Sequence, residues 1–173
     1  MQHTKEAKGP SGESFTLFFT PRSPFSNLHR CERLLIDGIS FSCVEQYYQL
    51  KKAEFFEDDE TAKAILEEER PIEIKRLGNH VAGFVFKEWA KHSREAVAVG
   101  NVHKFMQNPV LRRALLDTKD STLVECSPSD RFWGIGRGID DELAIDRSQW
   151  MGRNQQGAVL TEIRRKFQKI VPQ

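Results

Sequence analysis

The sequence is poor in the features that announce the commoner protein classes. It has only three cysteines, Cys31, Cys43 and Cys126, and no two stand in a C-x-x-C pair. That excludes a disulfide scaffold and a cysteine-based zinc site, and it fits a reducing, cytoplasmic setting or, in a eukaryote, a nuclear one. The five histidines show no HExxH or other metal spacing, so neither a metal nor a cofactor is expected. An excess of one charge is also missing, with 26 basic residues against 25 acidic ones. So balanced a chain does not hold long nucleic acid by electrostatics alone. No apolar run approaches the roughly 18 residues of a membrane span. There is no internal repeat, no low-complexity tract, no strand-linked G-x-G-x-x-G and no P-loop lysine. The first residues are polar and lack the apolar core of a signal peptide. Residues 1–13 are therefore expected to form a disordered tail ahead of one domain spanning 14–173.

The sequence does carry a helix-rich α+β pattern with a small sheet or hairpin. Phe15–Phe19 reads as a buried strand, and the two prolines of Thr20–Asn27 impose a shaped loop. Asp37-Gly38 between two short apolar runs is a strong hairpin signal. A helix is expected from Ser42, where Ser42-x-x-Glu45 matches a capping box. Further helices are expected after Asp58, from Pro71 to Gly78, across 84–106 with a break near Gly100, over 110–116, and from about Gln156 to Ile170. Residues 122–126 are strand-like, and the long stretch 127–154 is rich in Gly, Asp and Arg.

Two stretches carry candidate chemistry. Glu45 and Lys52 lie seven residues apart, two turns along one helix face, with Tyr48 and Gln49 between them. A carboxyl and an amine held rigidly together suit acid–base or nucleophilic work on one bond. The plain alternatives are a capping glutamate and a solvated lysine. The second stretch is Ser129–Gly138, where glycines let backbone amides approach a phosphate and Trp133 offers a stacking face. A surface turn with a core tryptophan is the plain alternative there. The Arg22–Asn27 loop adds a guanidinium, hydroxyls and an amide, and Trp89 is an aromatic of the long central helix.

Several ordered blocks then resemble a known family. These are Pro24-Phe25-Ser26-Asn27, Val44-Glu45-Gln46-Tyr47-Tyr48-Gln49 with Lys52-Ala53, Lys75-Arg76-Leu77-Gly78, and Trp89. Leu123-Val124-Glu125, Asp130-x-x-Trp133-Gly134-x-Gly136 and Trp150-x-Gly152-x-Asn154-x-x-Gly157 continue the series. In order and spacing they resemble the NADAR, or YbiA-like, family from about Phe15 to Phe167. The resemblance implies the YbiA-like α+β fold and N-glycosidase chemistry on an exocyclic amine joined to C1 of a phosphorylated ribose. It implies Glu45, Lys52 and Asp130 as catalytic residues. Arg22, Ser23, Asn27, Tyr48, Trp89, Trp133, Gly134, Gly136 and Asn154 are implied as substrate-binding residues. The substrate it favours is ADP-ribosylated guanine in DNA, RNA or a free nucleotide, in functional pairing with a guanine ADP-ribosyltransferase. Ribosylaminopyrimidine phosphates of the riboflavin pathway are the first alternative, and a non-catalytic ADP-ribose-binding module is the second. The sequence departs from the family pattern at Gln46, where histidine is usual, and at Asn79, where arginine is usual.

Overall fold

A computed structural model describes residues 3–170. It divides into two compact units, one built from residues 3–26 and 110–170 and the other from 27–109. Together their elements make an α+β protein, and no helix among the described residues is long and apolar enough to cross a membrane.

The first unit is organised on a three-stranded sheet in the order β1-β2-β5. The central strand, β2 (Ser14–Phe18), is buried along its whole length after Ser14, through Phe15, Leu17 and Phe18, with the one polar residue, Thr16, hydrogen-bonded to the Ser121 hydroxyl at 2.6 Å. It pairs antiparallel with β1 (Thr4–Lys8) and parallel with β5 (Thr122–Glu125). β1 corrects the expectation of a disordered tail. Its sequence, TKEAK, has no apolar alternation to betray a strand. It is held by backbone pairing as an edge strand, where lysines are commonly found. The core gathers Phe15, Leu17, Val124, Cys126, Ile135, Ile139 and Ala144. α5 (Pro109–Asp117) begins at the boundary of this unit, and α6 (Gln155–Ile170) packs on β5 through Val159, Leu160 and Ile163. Between β5 and α6 the chain is ordered, with 3-10 turns at Glu142–Ile145 and Arg147–Gln149.

The second unit opens with the expected hairpin, β3 (Leu35–Ile36) and β4 (Ile39–Ser40). Asp37 and Gly38 both take positive φ, 51° and 81°, the conformation a two-residue primed turn requires. α1 (Val44–Phe55) is the central helix, packed on by α2 (Asp59–Glu67), α3 (Pro71–Gly78) and α4 (Phe86–Gln107). Asp58 caps α2 by accepting from the Thr61 N–H at 3.0 Å. The break expected near Gly100 is absent, and α4 runs through it. A Cβ at Gly100 would sit 2.7 Å from Val44 Cγ1, so the glycine serves the close approach of α1 and α4.

Candidate active site

A helix packed on three sides buries residues all round, and α1 buries four that are polar: Glu45, Gln46, Gln49 and Lys52. Each such group needs a partner or carries a desolvation cost. Following those partners separates the groups that hold the fold from those left over.

Gln46 is fully engaged. Its side-chain oxygen accepts from the Ser42 N–H at 2.7 Å, and its amide donates to the Ile65 and Glu68 carbonyls at 2.9 Å each. This corrects the capping-box reading. The N-cap is Cys43, without a side-chain cap bond, so Gln46 stands at the third helical position and does the back-bonding expected of Glu45. The usual histidine could not have supplied an oxygen acceptor and two amide hydrogens there. Glu45 is thereby released from capping.

Glu45 is 8% exposed, and its Oε1 accepts from Gln49 Nε2 at 2.7 Å. Its own N–H donates to the Asn27 carbonyl at 2.9 Å, which ties the start of the helix to the preceding loop. Asn27 Oδ1 in turn accepts from the buried Asn101 amide of α4 at 2.8 Å. Gln49 lies against α3 at Gly78, where a Cβ would overlap its side chain, so the glycine of Lys75-Arg76-Leu77-Gly78 makes room for the glutamine that holds Glu45.

Lys52 is 6% exposed, yet its ammonium has no hydrogen-bonding or ion-paired partner among the described residues. It lies 5.0 Å from the Phe84 ring centre and 6.0 Å from that of Tyr48. Burial pushes its pKa down to about 8, and the nearby Glu45 carboxylate only partly offsets this. Tyr48 and Trp89 pair with each other, the indole N–H donating to the phenol oxygen at 2.8 Å. The cysteines offer no competing nucleophile, since burial pushes Cys43 up to about 11 and Cys126 up to about 12.

The remaining sequence candidates belong to the first unit, apart from Asn27, and most of their polar atoms are engaged in holding loops. Asp130 Oδ1 accepts from the Phe132 and Trp133 N–H groups at 2.9 and 2.8 Å, which closes a turn. The Ile135 and Gly136 N–H groups donate to the Glu125 and Asp130 carbonyls, so these two amides are not free to cradle a phosphate. Gly136 has φ of +70°, and a Cβ on Gly134 would lie 2.9 Å from the Glu125 carbonyl oxygen. Those glycines therefore answer to the turn itself. Asn154, at φ of 51°, accepts from the Glu125 N–H and donates to the Leu123 carbonyl, fastening α6 to β5. Ser23 is fully buried with its hydroxyl against Thr4. Arg22 is exposed, and Trp133 is half-buried edge-on to Phe132. Of the residues in and around α1 that matter, Gln49 shows a sequence signal in its i,i+4 spacing from Glu45. Asn101 and Phe84 show none, because only packing brings them to the helix.

The NADAR domain matches residues 10–168 of this chain. The chain belongs to the NADAR family. An N-glycosidase of Acanthamoeba polyphaga mimivirus is 42% identical over 125 residues, covering 72% of this chain and 74% of that protein. Protein irg-1 of Caenorhabditis elegans is 33% identical over 165 residues, covering 87% of this chain and 78% of its own. The NMR structure of Escherichia coli YbiA superposes with a TM-score of 0.73 over 100% of this chain and 94% of its own. At 24% identity that match speaks for the fold, which is the NADAR α+β fold.

Proposed function

We propose that this NADAR protein is a hydrolase of N-glycosyl bonds that removes ADP-ribose from the exocyclic amine of guanine, in nucleic acid or in a nucleotide. The observation that carries the proposal is the leftover pair on α1: a buried carboxylate held by Gln49, and a buried amine with no partner and a depressed pKa. Relatives named N-glycosidases support the bond type. The Lys52 side chain is buried and its ammonium makes no hydrogen bond or ion pair among the described residues, and perturbed groups of this kind cluster at reactive sites.

Cleavage of such a bond builds positive charge on C1 and the ring oxygen, and the leaving amine needs a proton. Glu45 stabilises the cation and delivers the proton. With a pKa of about 8, roughly a tenth of Lys52 is neutral at pH 7. The neutral amine attacks C1 as the bond to the base breaks, and Glu45 carries the proton given up by the amine to the leaving guanine amine. The C1–ring-oxygen bond then opens to give an imine, and water hydrolyses that imine to free sugar and lysine. Tyr48, Trp89 and Phe84 form the aromatic surround. A guanine-specific ADP-ribosyltransferase is the partner that would generate the substrate.

The test is mass spectrometry on a short oligonucleotide ADP-ribosylated at the guanine amine, with wild type and Glu45→Ala. Release of ADP-ribose by the wild type alone is the expected result, and an intact oligonucleotide would reject the proposal. Borohydride should trap a protein–sugar adduct in the wild type and none in Lys52→Ala. No adduct, together with substantial activity in Lys52→Ala, would remove the covalent step. A second reading, hydrolysis of ribosylaminopyrimidine phosphates, is favoured by one relative. A riboflavin biosynthesis protein of Vibrio vulnificus is 28% identical over 152 residues, although the match covers only 36% of that protein. The same assay on those compounds distinguishes the two.

A further inference from the structure

The first unit contains a groove of about 310 Å³, within the size range of small-ligand sites, between β5, the start of α6 and the turn before it. Four arginines line it, Arg147, Arg153, Arg164 and Arg165, against two acids, Asp120 and Glu162. Arg147 is neutralised by Glu13, which it contacts through two nitrogens. The other three are not neutralised in this way. The Arg153 guanidinium lies 5.9 Å from the Phe132 ring centre, and neither it nor Arg165 has a carboxylate or hydrogen-bond partner among the described residues.

Arg164 is the unusual member. It is 3% exposed, it donates one hydrogen bond, from Nη1 to Thr118 Oγ1 at 2.6 Å, and its Nε has no partner. A buried guanidinium with five donor hydrogens ordinarily meets a carboxylate or several carbonyls, because the desolvation cost is otherwise uncompensated. Asp120 acts on it only through space, and Arg165 beside it adds like charge. The fold gains little from keeping this charge here. A ligand of opposite charge would gain a preformed, partly dehydrated guanidinium flanked by two exposed ones, the arrangement that suits phosphate oxygens.

We propose that this groove is a phosphate-binding site, built by Arg164 and completed by Arg153 and Arg165. Its ligand carries two or more phosphate charges. The chemistry is shared by the diphosphate of a free nucleotide and by successive phosphodiesters of a nucleic-acid strand. The site does not depend on the glycosidase reading and can be tested without turnover.

The experiment titrates the full chain with inorganic pyrophosphate and, separately, with a short single-stranded oligothymidylate at several salt concentrations. Wild type is compared with R153Q/R165Q, which changes only exposed side chains. A charge-matched control, K63Q/K75Q, removes two exposed lysines from α2 and α3. R153Q/R165Q should weaken binding of at least one probe by about tenfold or more, while the control changes it less than about twofold. Loss confined to pyrophosphate identifies a free-diphosphate site. Loss for the oligonucleotide, with a salt slope shallower by about one per arginine removed, identifies a strand backbone. Equal weakening in the control, no change in R153Q/R165Q, or no binding of either probe by the wild type overturns the proposal. Arg164→Lys, checked for folding by circular dichroism, should also bind more weakly, because an ammonium lacks the planar set of donors.

Discussion

Two regions carry blocks that resemble the family and differ in what their polar atoms do. In the first unit, the motif residues Asp130, Gly134, Gly136 and Asn154 are engaged in turn and strand hydrogen bonds or required by close backbone approach. In α1, Gln46 is engaged in the same way, whereas the Glu45 carboxylate is held by a single bond from Gln49 and the Lys52 ammonium has no hydrogen-bond or ion-pair partner among the described residues. The comparison teaches that a motif residue can serve chemistry by reacting or by holding the frame. Hydrogen-bond bookkeeping tells the two apart. Substitutions should therefore separate cleanly, with α1 variants losing rate and loop variants losing stability.

The largest effect is expected from Glu45→Gln. Glutamine keeps an oxygen to accept from Gln49, so the melting temperature should move only a few degrees, while kcat falls by about 10³-fold. A loss below tenfold would place Glu45 with the framework glutamines. Lys52→Met comes next. Turnover should fall at least about 100-fold while stability at pH 7 rises by about 1–3 kcal/mol, because a buried charge is replaced by a side chain of similar length. The folded-state pKa of about 8 lies below the ordinary lysine value of 10.5. The unfolded chain binds the proton that the folded chain gives up. The destabilisation from Lys52 is therefore full below about pH 8 and fades as pH rises toward 10.5. Chemical denaturation at pH 7, 9 and 10 should show the Met variant's advantage shrinking. Turnover in the wild type should climb with pH through about 8 as the amine loses its proton.

Asn154→Ala should invert the pattern. Losing two bonds to β5 and placing alanine at positive φ costs about 2–4 kcal/mol, with kcat/KM per folded molecule unchanged within about twofold. Asp130→Asn should have the smallest effect. Asparagine retains the oxygen that closes the turn, so stability should change by less than about 1 kcal/mol and activity by less than tenfold. A hundredfold loss would return the Asp130 charge to the chemistry.

Much of the fold was legible along the chain, and the misses have local causes. The buried strand Phe15–Phe18, the Asp37-Gly38 hairpin and the Asp58 cap each depend on neighbours in sequence, so pattern reached them. β1 was missed because an edge strand needs a partner's backbone more than it needs apolar side chains. The break at Gly100 was misread because glycine there answers to Val44 on another helix, not to its own backbone. The capping box failed by one residue. Where a helix begins is decided by the loop that feeds it, and Asn27 receives the Glu45 N–H from there.

By itself the sequence determined which residue types lie on one face of α1, the order of the elements and the family pattern, because helical period and turn chemistry are local properties. Only the tertiary structure decided that Gln46 takes over the cap, that Gln49 rather than the backbone holds Glu45, and that Lys52 is buried against Phe84 without a partner. Those outcomes depend on desolvation and on hydrogen-bond partners brought by distant segments, and no spacing along one chain encodes either.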